Sequence, residues 1–355
     1  MSSQSQPLSP SFSRPFEHAL LEVAARPFPW GPGALLVVAF GLLPWLADDY
    51  WLNAILIPFL VLSLAGLGLN LLTGYAGQTS VGSAGFMAVG AFATYAFLLR
   101  VPALPLALLA GGAIAAGAGF VFGIPSKRIK GFYLMVTTLA AQFFLEWVFT
   151  KFPWFYNHAS SGTISAPRLE VFGHDISGPG GRYALTLSVV ALLTWIAHNL
   201  VRGQVGRNWM AIRDMDTAAA VIGIEVDRYK RLAFAVSSFY LGIAGALWTF
   251  AYLGTASASS FDINRSFQIL FIIIGGMGSI AGNFIGAAFI SLLPLFLSQA
   301  GQALLGSSVD PGQIQNLQKI IFGALIITFL IKEPEGLARL LRRFAARLAV
   351  WPLRF

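Results

Sequence analysis

Residues 70–86 read Asn-Leu-Leu-Thr-Gly-Tyr-Ala-Gly-Gln-Thr-Ser-Val-Gly-Ser-Ala-Gly-Phe, so that glycines interrupt a long apolar run. A second cluster, residues 275–286, reads Gly-Gly-Met-Gly-Ser-Ile-Ala-Gly-Asn-Phe-Ile-Gly and also follows an apolar run. A helix can be broken at membrane depth only where its backbone is covered by protein or lines a cavity. Matching breaks in two halves of a chain indicate a binding site between the halves. The two clusters therefore predict glycine-broken membrane helices beside a translocation pathway.

The candidate pathway residues are small and polar side chains of these two clusters. They are Asn70, Gly74, Tyr75, Gly77, Gln78, Ser80, Gly82, Gly275, Gly276 and Gly278. The alternative for the individual glycines is close helix packing through small residues. The sequence leaves open whether Tyr75, Gln78 and Ser80 face a pathway or a neighbouring helix.

The composition of the whole chain agrees with a membrane protein. Of its 355 residues, 56% are hydrophobic and only 11% are charged, and its mean hydropathy is +0.71. A soluble domain carries about 25% charged residues, so an ordinary soluble enzyme, a disordered chain and a nucleic-acid binder are excluded despite the net charge of +8. The fold class expected is an all-α polytopic membrane protein with about ten transmembrane helices.

Apolar runs and basic residues give the spans and their orientation. Spans are predicted near residues 33–47, 51–73, 79–99, 103–124, 131–150, 183–200, 230–254, 266–280, 282–299 and 317–331. Cytoplasmic segments are enriched in Lys and Arg, and about 17 of the 23 basic residues fall on one side when both termini are cytoplasmic. Pairing spans two to five with spans seven to ten gives an odd offset, which is the parity of an inverted repeat.

The regions outside the spans complete the expected organisation. Residues 1–32 are predicted to be a mobile cytoplasmic tail without a cleavable signal, and residues 33–332 form the transmembrane domain. Within it, residues 151–182 form an outer loop and residues 201–230 a cytoplasmic loop. The basic segment 333–355 is expected to be amphipathic and cytoplasmic. It either lies on an anionic membrane face or is a solvated tail.

The chain lacks the residues that would let it supply energy or catalyse a reaction by itself. A P-loop needs the dipeptide Gly-Lys, which does not occur, and there is no Cys. Glu146 is the only acid inside a predicted span, whereas ion-coupled carriers normally place several there. Its alternative role is an interfacial carboxylate that reaches water. The sequence therefore predicts a transport protein that is not an enzyme, driven by another polypeptide or passive.

The cytoplasmic loop contains a short predicted helix. Residues 207–224 read Arg-Asn-Trp-Met-Ala-Ile-Arg-Asp-Met-Asp-Thr-Ala-Ala-Ala-Val-Ile-Gly-Ile. Asp216 is a good N-cap, and Gly223 suits the left-handed residue that follows a last helical turn. A short rigid helix of this kind can transmit force to a soluble partner, although plain linkage is the alternative.

This loop, continued through Asp227-Arg228-Tyr229-Lys230 and through Gly242-Ile243-Ala244-Gly245-Ala246-Leu247, resembles a known family. It is similar to the permease subunits of branched-chain amino acid ABC transporters, LivM type, in the LivH/LivM superfamily. The resemblance covers roughly residues 50–332 and includes both glycine clusters.

The resemblance implies a set of partners and a role for the loop. A second homologous permease subunit, two ABC ATPase subunits that hold ATP and Mg²⁺, and an extracytoplasmic substrate-binding protein would join this chain in the bacterial inner membrane. The chain itself would hold no cofactor and no metal. The residues implied in ATPase coupling are Arg213, Asp214, Asp216, Ala218, Ala219, Gly223, Tyr229 and Lys230.

Departures from the family pattern leave the solute open. Ser83 stands where His or Gln is frequent, and Asn283 stands where Pro is common. The expected solute is a branched-chain or related small amino acid, with urea, short amides or aromatic acids as alternatives. A passive channel for a small neutral solute is the alternative of another class.

Overall fold

The computed structural model describes residues 48–166, 170–171 and 174–305, together with residues 39, 320 and 323–324. Nine helices are numbered here in chain order within that part of the chain. They are α1 Asp49–Tyr75, α2 Ser83–Leu98, α3 Leu104–Phe122, α4 Phe132–Lys151, α5 Pro179–Arg202, α6 Gln204–Val221, α7 Val226–Leu253, α8 Ile263–Ile272 and α9 Ile280–Leu305. The strands are β1 Thr163–Ser165, β2 Glu170–Val171, β3 His174–Asp175 and β4 Thr255–Ser257.

Long apolar helices confirm the prediction of a polytopic helical membrane protein. Six helices in the described residues are long and apolar enough to cross a bilayer: α1, α3, α4, α5, α7 and α9. Each matches a predicted span within a few residues. Helix α2 is also apolar but shorter, with 16 residues. The predicted spans 33–47 and 317–331 and the two tails, 1–32 and 333–355, lie almost entirely or entirely outside the described residues.

The predicted span 266–280 is wrong. Helix α8 has 10 residues, which is about 15 Å of helix, whereas a bilayer core is about 30 Å thick. The Asp262 carboxylate caps its start by accepting from the Arg265 N–H. Its continuation through Gly275 ends where Gly276 and Gly278 adopt φ values of 143° and 69°. The apolar run is therefore a half-length helix followed by a break.

The helices differ in how much of their surface other helices cover. Other parts of the structure bury 89% of the most apolar window of α1, but only 28% of that of α5. A helix that is apolar on all sides belongs in the centre of a bundle, and α1, α2 and α7 form that centre. The outer helices expose large apolar side chains such as Phe143, Trp147 and Trp195. Such a surface is stable against lipid rather than water.

Several glycines allow the central helices to touch. A Cβ on Gly90 of α2 would overlap the backbone of Gly242 on α7, and a Cβ on Gly245 would overlap the backbone of Met87. Small residues at a crossing let two backbones approach closely. Helix packing therefore accounts for these glycines, which lie outside the two sequence clusters.

Residues 163–166 and 254–257 meet at one end of the bundle. Strands β1 and β4 pair antiparallel, with Ile164 opposite Ala256. Helix α6 lies at the other end, which we call the loop end. The predicted outer loop is four residues shorter than expected at its C-terminal side, because α5 already begins at Pro179.

Candidate coupling and pathway site

The first helix break lies at the loop end of α1. The last turn of α1, Leu71–Tyr75, widens into a π-helix, and Gly77 follows with φ 67°. A Cβ on Gly77 would lie 2.9 Å from the Arg213 side chain. Glycine is required here both by the positive φ and by the close contact.

The second break contacts the first. The Asn70 amide donates from Nδ2 to the Ser279 carbonyl at 3.0 Å, and its Oδ1 accepts from the Gly278 N–H at 2.9 Å. A Cβ on Gly74 would overlap the Gly278 backbone. The two glycine clusters, separated by about two hundred residues of sequence, are therefore joined through one buried side chain.

Arg213 connects the loop helix to this contact. Its Nη1 donates to the Gly74 carbonyl at 2.9 Å, and its Nε donates to Asp214 Oδ1 at 2.9 Å. The last carbonyls of a helix have no intrahelical donor, and a cation at a helix C-terminus is favourable. We call Asn70, Gly74, Arg213, Gly278 and Ser279 the loop-end junction. The Arg213 guanidinium, which the family resemblance implies in ATPase coupling, thus donates to the helix break.

Helix α6 has its kink one residue earlier than the predicted N-cap. Met215 has extended backbone angles, φ −159° and ψ 99°, so the capping position falls on Met215 and the N-cap prediction for Asp216 is wrong. The Asp216 carboxylate instead accepts from the Lys130 Nζ at 2.5 Å and from the Lys230 Nζ at 3.3 Å. The carboxylate therefore pairs with two ammonium groups and does not cap the N–H groups of the helix.

Two lysines and partial burial act in opposite directions on the pKa of the Asp216 carboxyl group. The hydrogen bond from Lys130 lowers the pKa of Asp216, partial burial opposes it, and Lys230 lowers it further. The Lys230 side chain is only 4% exposed. A buried charge without a partner is costly, so Asp216 holds the start of α7 to the loop through Lys230.

The end of α6 matches the prediction. Gly223 has φ 88°, its N–H donates to the Ala220 carbonyl at 3.1 Å, and the Ile224 N–H donates to the Ala219 carbonyl at 3.0 Å. These bonds form a Schellman motif, which satisfies the last carbonyls of a helix.

The same turn presents an apolar tip. Val221 is 87% exposed and Ile222 is 75% exposed, and Met215 at the kink is also exposed. Trp209 is fully buried at the base of the helix, where its Nε1 donates to the Tyr229 carbonyl at 2.9 Å. Tyr229 therefore contributes to the loop through its main chain. The outcome is an anchored helix with an exposed apolar end.

Other predicted residues divide between a cavity and helix packing. A cavity of about 340 Å³ is lined by Gly77, Gln78, Lys130, Gly131, Ile212, Arg213, Asp214, Met215, Asp216 and Lys230. Ser80 and Gly82 lie in the segment that connects α1 with α2. This segment packs against α4, where the Val81 N–H donates to Thr138 Oγ1 at 3.0 Å. A Cβ on Gly275 would overlap the Gly282 carbonyl, so Gly275 serves the contact between α8 and α9. Ala218 lies in α6, Tyr75 lies in the π-helical turn that ends α1, and Gly276 directly follows the extension of α8.

Sequence reasoning missed a polar contact in the bundle interior. Gln142 Oε1 accepts from the Gly85 N–H at 2.5 Å and from Ser266 Oγ at 3.1 Å, and its Nε2 donates to the Phe261 carbonyl at 2.7 Å. Gln142 and Ser266 are both fully buried. The signal that could have found them is an amide in the middle of an apolar span, since such a group needs partners.

Comparison with known proteins identifies the family. A model described as "Branched-chain amino acid transport system / permease component" matches residues 52–330. The chain belongs to this permease family. Its resemblance to the family, and the expectation of a membrane transport protein, are thereby confirmed.

Named relatives agree with the family assignment. The high-affinity branched-chain amino acid transport system permease protein LivM of Escherichia coli (strain K12) is 28% identical over 305 residues, covering 79% of this chain and 68% of LivM. The protein of the same name from Salmonella typhimurium is also 28% identical, over 309 residues. A probable branched-chain amino acid transport permease protein LivM of Methanocaldococcus jannaschii is 23% identical over 327 residues and is covered to 92%. No solved structure gives a significant match.

Proposed function

We propose that this permease is the membrane-spanning subunit of an ATP-binding-cassette importer that moves branched-chain or related small amino acids inward. The observation that carries the proposal is the hydrogen bond from Arg213 to the Gly74 carbonyl. It joins a helix with an exposed apolar tip to a broken membrane helix. A passive channel has no use for such a link.

The proposed movement starts at the tip of α6. Val221 and Ile222 are exposed apolar residues outside the candidate spans, and they would seat on an ATPase subunit. A displacement of α6 would pull on the end of α1 through Arg213. Asn70 would pass it to the second break, because its amide bonds both Gly278 and Ser279. Packed elements with two arrangements transmit motion in this way.

The partners and the site of action are part of the same proposal. The complex would contain a second permease subunit, two ATPase subunits with ATP and Mg²⁺, and a substrate-binding protein outside the membrane. The family match and the absence of Gly-Lys from the sequence support an external energy source. Cytoplasmic termini and the bacterial inner membrane remain our proposals for the topology, whereas the count of about ten spans and the pairing that gave an inverted repeat both included the span 266–280.

Reconstitution tests this function directly. The chain is assembled with its partner subunits in proteoliposomes, with ATP on the ATPase side and the loaded binding protein on the other. We expect radiolabelled leucine to accumulate only when ATP is present. Equal accumulation without ATP, or conduction by the chain alone, would favour a passive channel and overturn the proposal.

A further inference from the structure

The N-terminus of α2 lies deep inside the bundle. Its first turn includes Gly85, whose N–H donates to Gln142 of α4. Helix α4 begins at the loop end, where Thr79 Oγ1 donates to the Gly131 carbonyl. Gln142 is ten residues beyond Phe132, which corresponds to about 15 Å of rise and about half the length of α4. The start of α2 is therefore near the middle height of the bundle.

Helix α8 begins at the same height. Ser266 Oγ accepts from the Ala84 N–H at 2.8 Å. The neighbouring Arg265 places its guanidinium over the Trp248 ring at 4.2 Å. Trp248 opens the π-helical end of α7, and it is 3% exposed. The starts of α2 and α8 and the widened end of α7 thus converge near Arg265, whose Nη1 donates to Gln268 Oε1.

Four buried polar atoms at this convergence have no hydrogen-bond partner among the described residues. They are Ser83 Oγ, Trp248 Nε1, Thr249 Oγ1 and Arg265 Nε. Ser83 is 1% exposed and Thr249 is fully buried. Buried polar atoms in native proteins are nearly always bonded, so each exception calls for a partner. We call these four residues the interior cluster.

Charges of the opposite sign lie beside the interior cluster. Asp262 caps α8 and interacts electrostatically with Arg265. Glu146, one helical turn beyond Gln142 on α4, interacts electrostatically with Asp262. Arg265 and the two carboxylates lie between the middle of the bundle and the end where β1 and β4 pair, and charged groups inside a membrane protein mark solute pathways.

We propose that the interior cluster is a binding station for the carboxylate of the solute in transit. Arg265 binds the carboxylate, and Ser83 Oγ and Trp248 Nε1 donate to it beside the positive end of the α2 dipole. Glu146 and Asp262 supply the negative charge that an ammonium group needs. Broken helices whose N-termini face an anionic group at the midplane are a general device of transporters. The site takes a zwitterionic amino acid and rejects uncharged amides such as urea.

The proposal rests on the proposed function, and its test uses the complete transporter in proteoliposomes. Arg265→Gln is compared with Arg100→Gln, because Arg100 is exposed just past the end of α2 and its side chain donates to the Ala96 carbonyl. We expect leucine uptake to fall about tenfold or more in Arg265→Gln, since charge-assisted hydrogen bonds are the strong ones. ATP hydrolysis stimulated by loaded binding protein should persist, and Arg100→Gln should transport normally.

The possible outcomes separate the site from the function. Uptake by Arg265→Gln at the level of Arg100→Gln would overturn the site while leaving the importer intact. If Arg265→Gln does not assemble, Ser83→Ala decides, because it removes one donor without changing charge. A fall of about threefold supports the site, and unchanged uptake overturns it. A wild-type transporter that accumulates no leucine with ATP overturns the proposed function and the site with it.

Discussion

The loop-end junction and the interior cluster are both polar contacts between broken helices, but they treat their polar groups differently. At the junction, Asn70 uses both ends of its amide and Arg213 bonds a backbone carbonyl. In the interior cluster, Ser83 and Trp248 bury polar atoms without partners among the described residues. Fully hydrogen-bonded groups hold the two helix breaks rigidly together, whereas buried polar atoms without a partner can bind a solute. The molecule therefore separates the part that moves the helices from the part that meets the solute.

The largest effect is expected from filling the junction. Gly74→Leu would push a side chain into the Gly278 backbone, and overpacking against backbone costs about 3 kcal/mol or more of folding free energy. We expect Tm in detergent to drop by several degrees and uptake to be lost. Gly117→Leu is the matched control, because nothing lies within 4 Å of a Cβ there. If Gly74→Leu melts at the temperature of Gly117→Leu, the two breaks are not in contact.

A smaller effect is expected from Asp216→Asn. Lys230, 4% exposed, would lose its carboxylate, and we expect a loss of about 2 kcal/mol in unfolding free energy. The folded pKa of Asp216 is lowered, chiefly by Lys130. The stabilisation is thus present above the unfolded pKa of about 4 and disappears as pH falls through the folded pKa. Chemical denaturation of both proteins between pH 3 and 7 measures it, and a difference that grows toward low pH would contradict this account.

The smallest effect on folding is expected at the tip of α6. Ile222→Ser changes a residue that is 75% exposed, so its unfolding free energy should stay within about 0.5 kcal/mol of wild type. Co-purification with the ATPase subunits should nevertheless weaken, since the side chain would be covered in the complex. Leu106→Ser, which is 56% exposed on α3, is the control. Equal ATPase recovery from both variants would remove the tip from the interface.

The sequence predicts the long helices well and the half-length helix poorly. Apolar runs identify α1, α3 and α7 because burial and lipid contact both need a continuous apolar surface. The run before Gly276 is also apolar, so hydropathy predicts a span there. Hydropathy carries no information on backbone angles, and Gly276 adopts φ 143°. The cap of Asp262 also shortens α8 from the other side. Local backbone conformation therefore decides the length there.

The candidate site was predicted as a set of segments, but not as contacts. Glycine clusters mark the two breaks, yet no periodicity reveals that Asn70 bonds Gly278 from 208 residues away. The direction of Arg213 was also beyond the sequence, because an arginine in an exposed loop suits a partner surface as well as a helix C-terminus. Asp216 moved from a backbone cap to an ion pair because Lys130 and Lys230 come within reach only after folding.

The central claim is that force enters at α6 and reaches the helix break through Arg213. The most direct measurement compares ATP hydrolysis and leucine uptake by the assembled transporter with Arg213→Ala and with Arg207→Ala, a control on the same helix whose side chain donates to the Arg202 carbonyl. The account predicts that Arg213→Ala hydrolyses ATP at the wild-type rate while uptake falls about tenfold, and that Arg207→Ala does both normally. Unchanged uptake by Arg213→Ala at wild-type hydrolysis would contradict it.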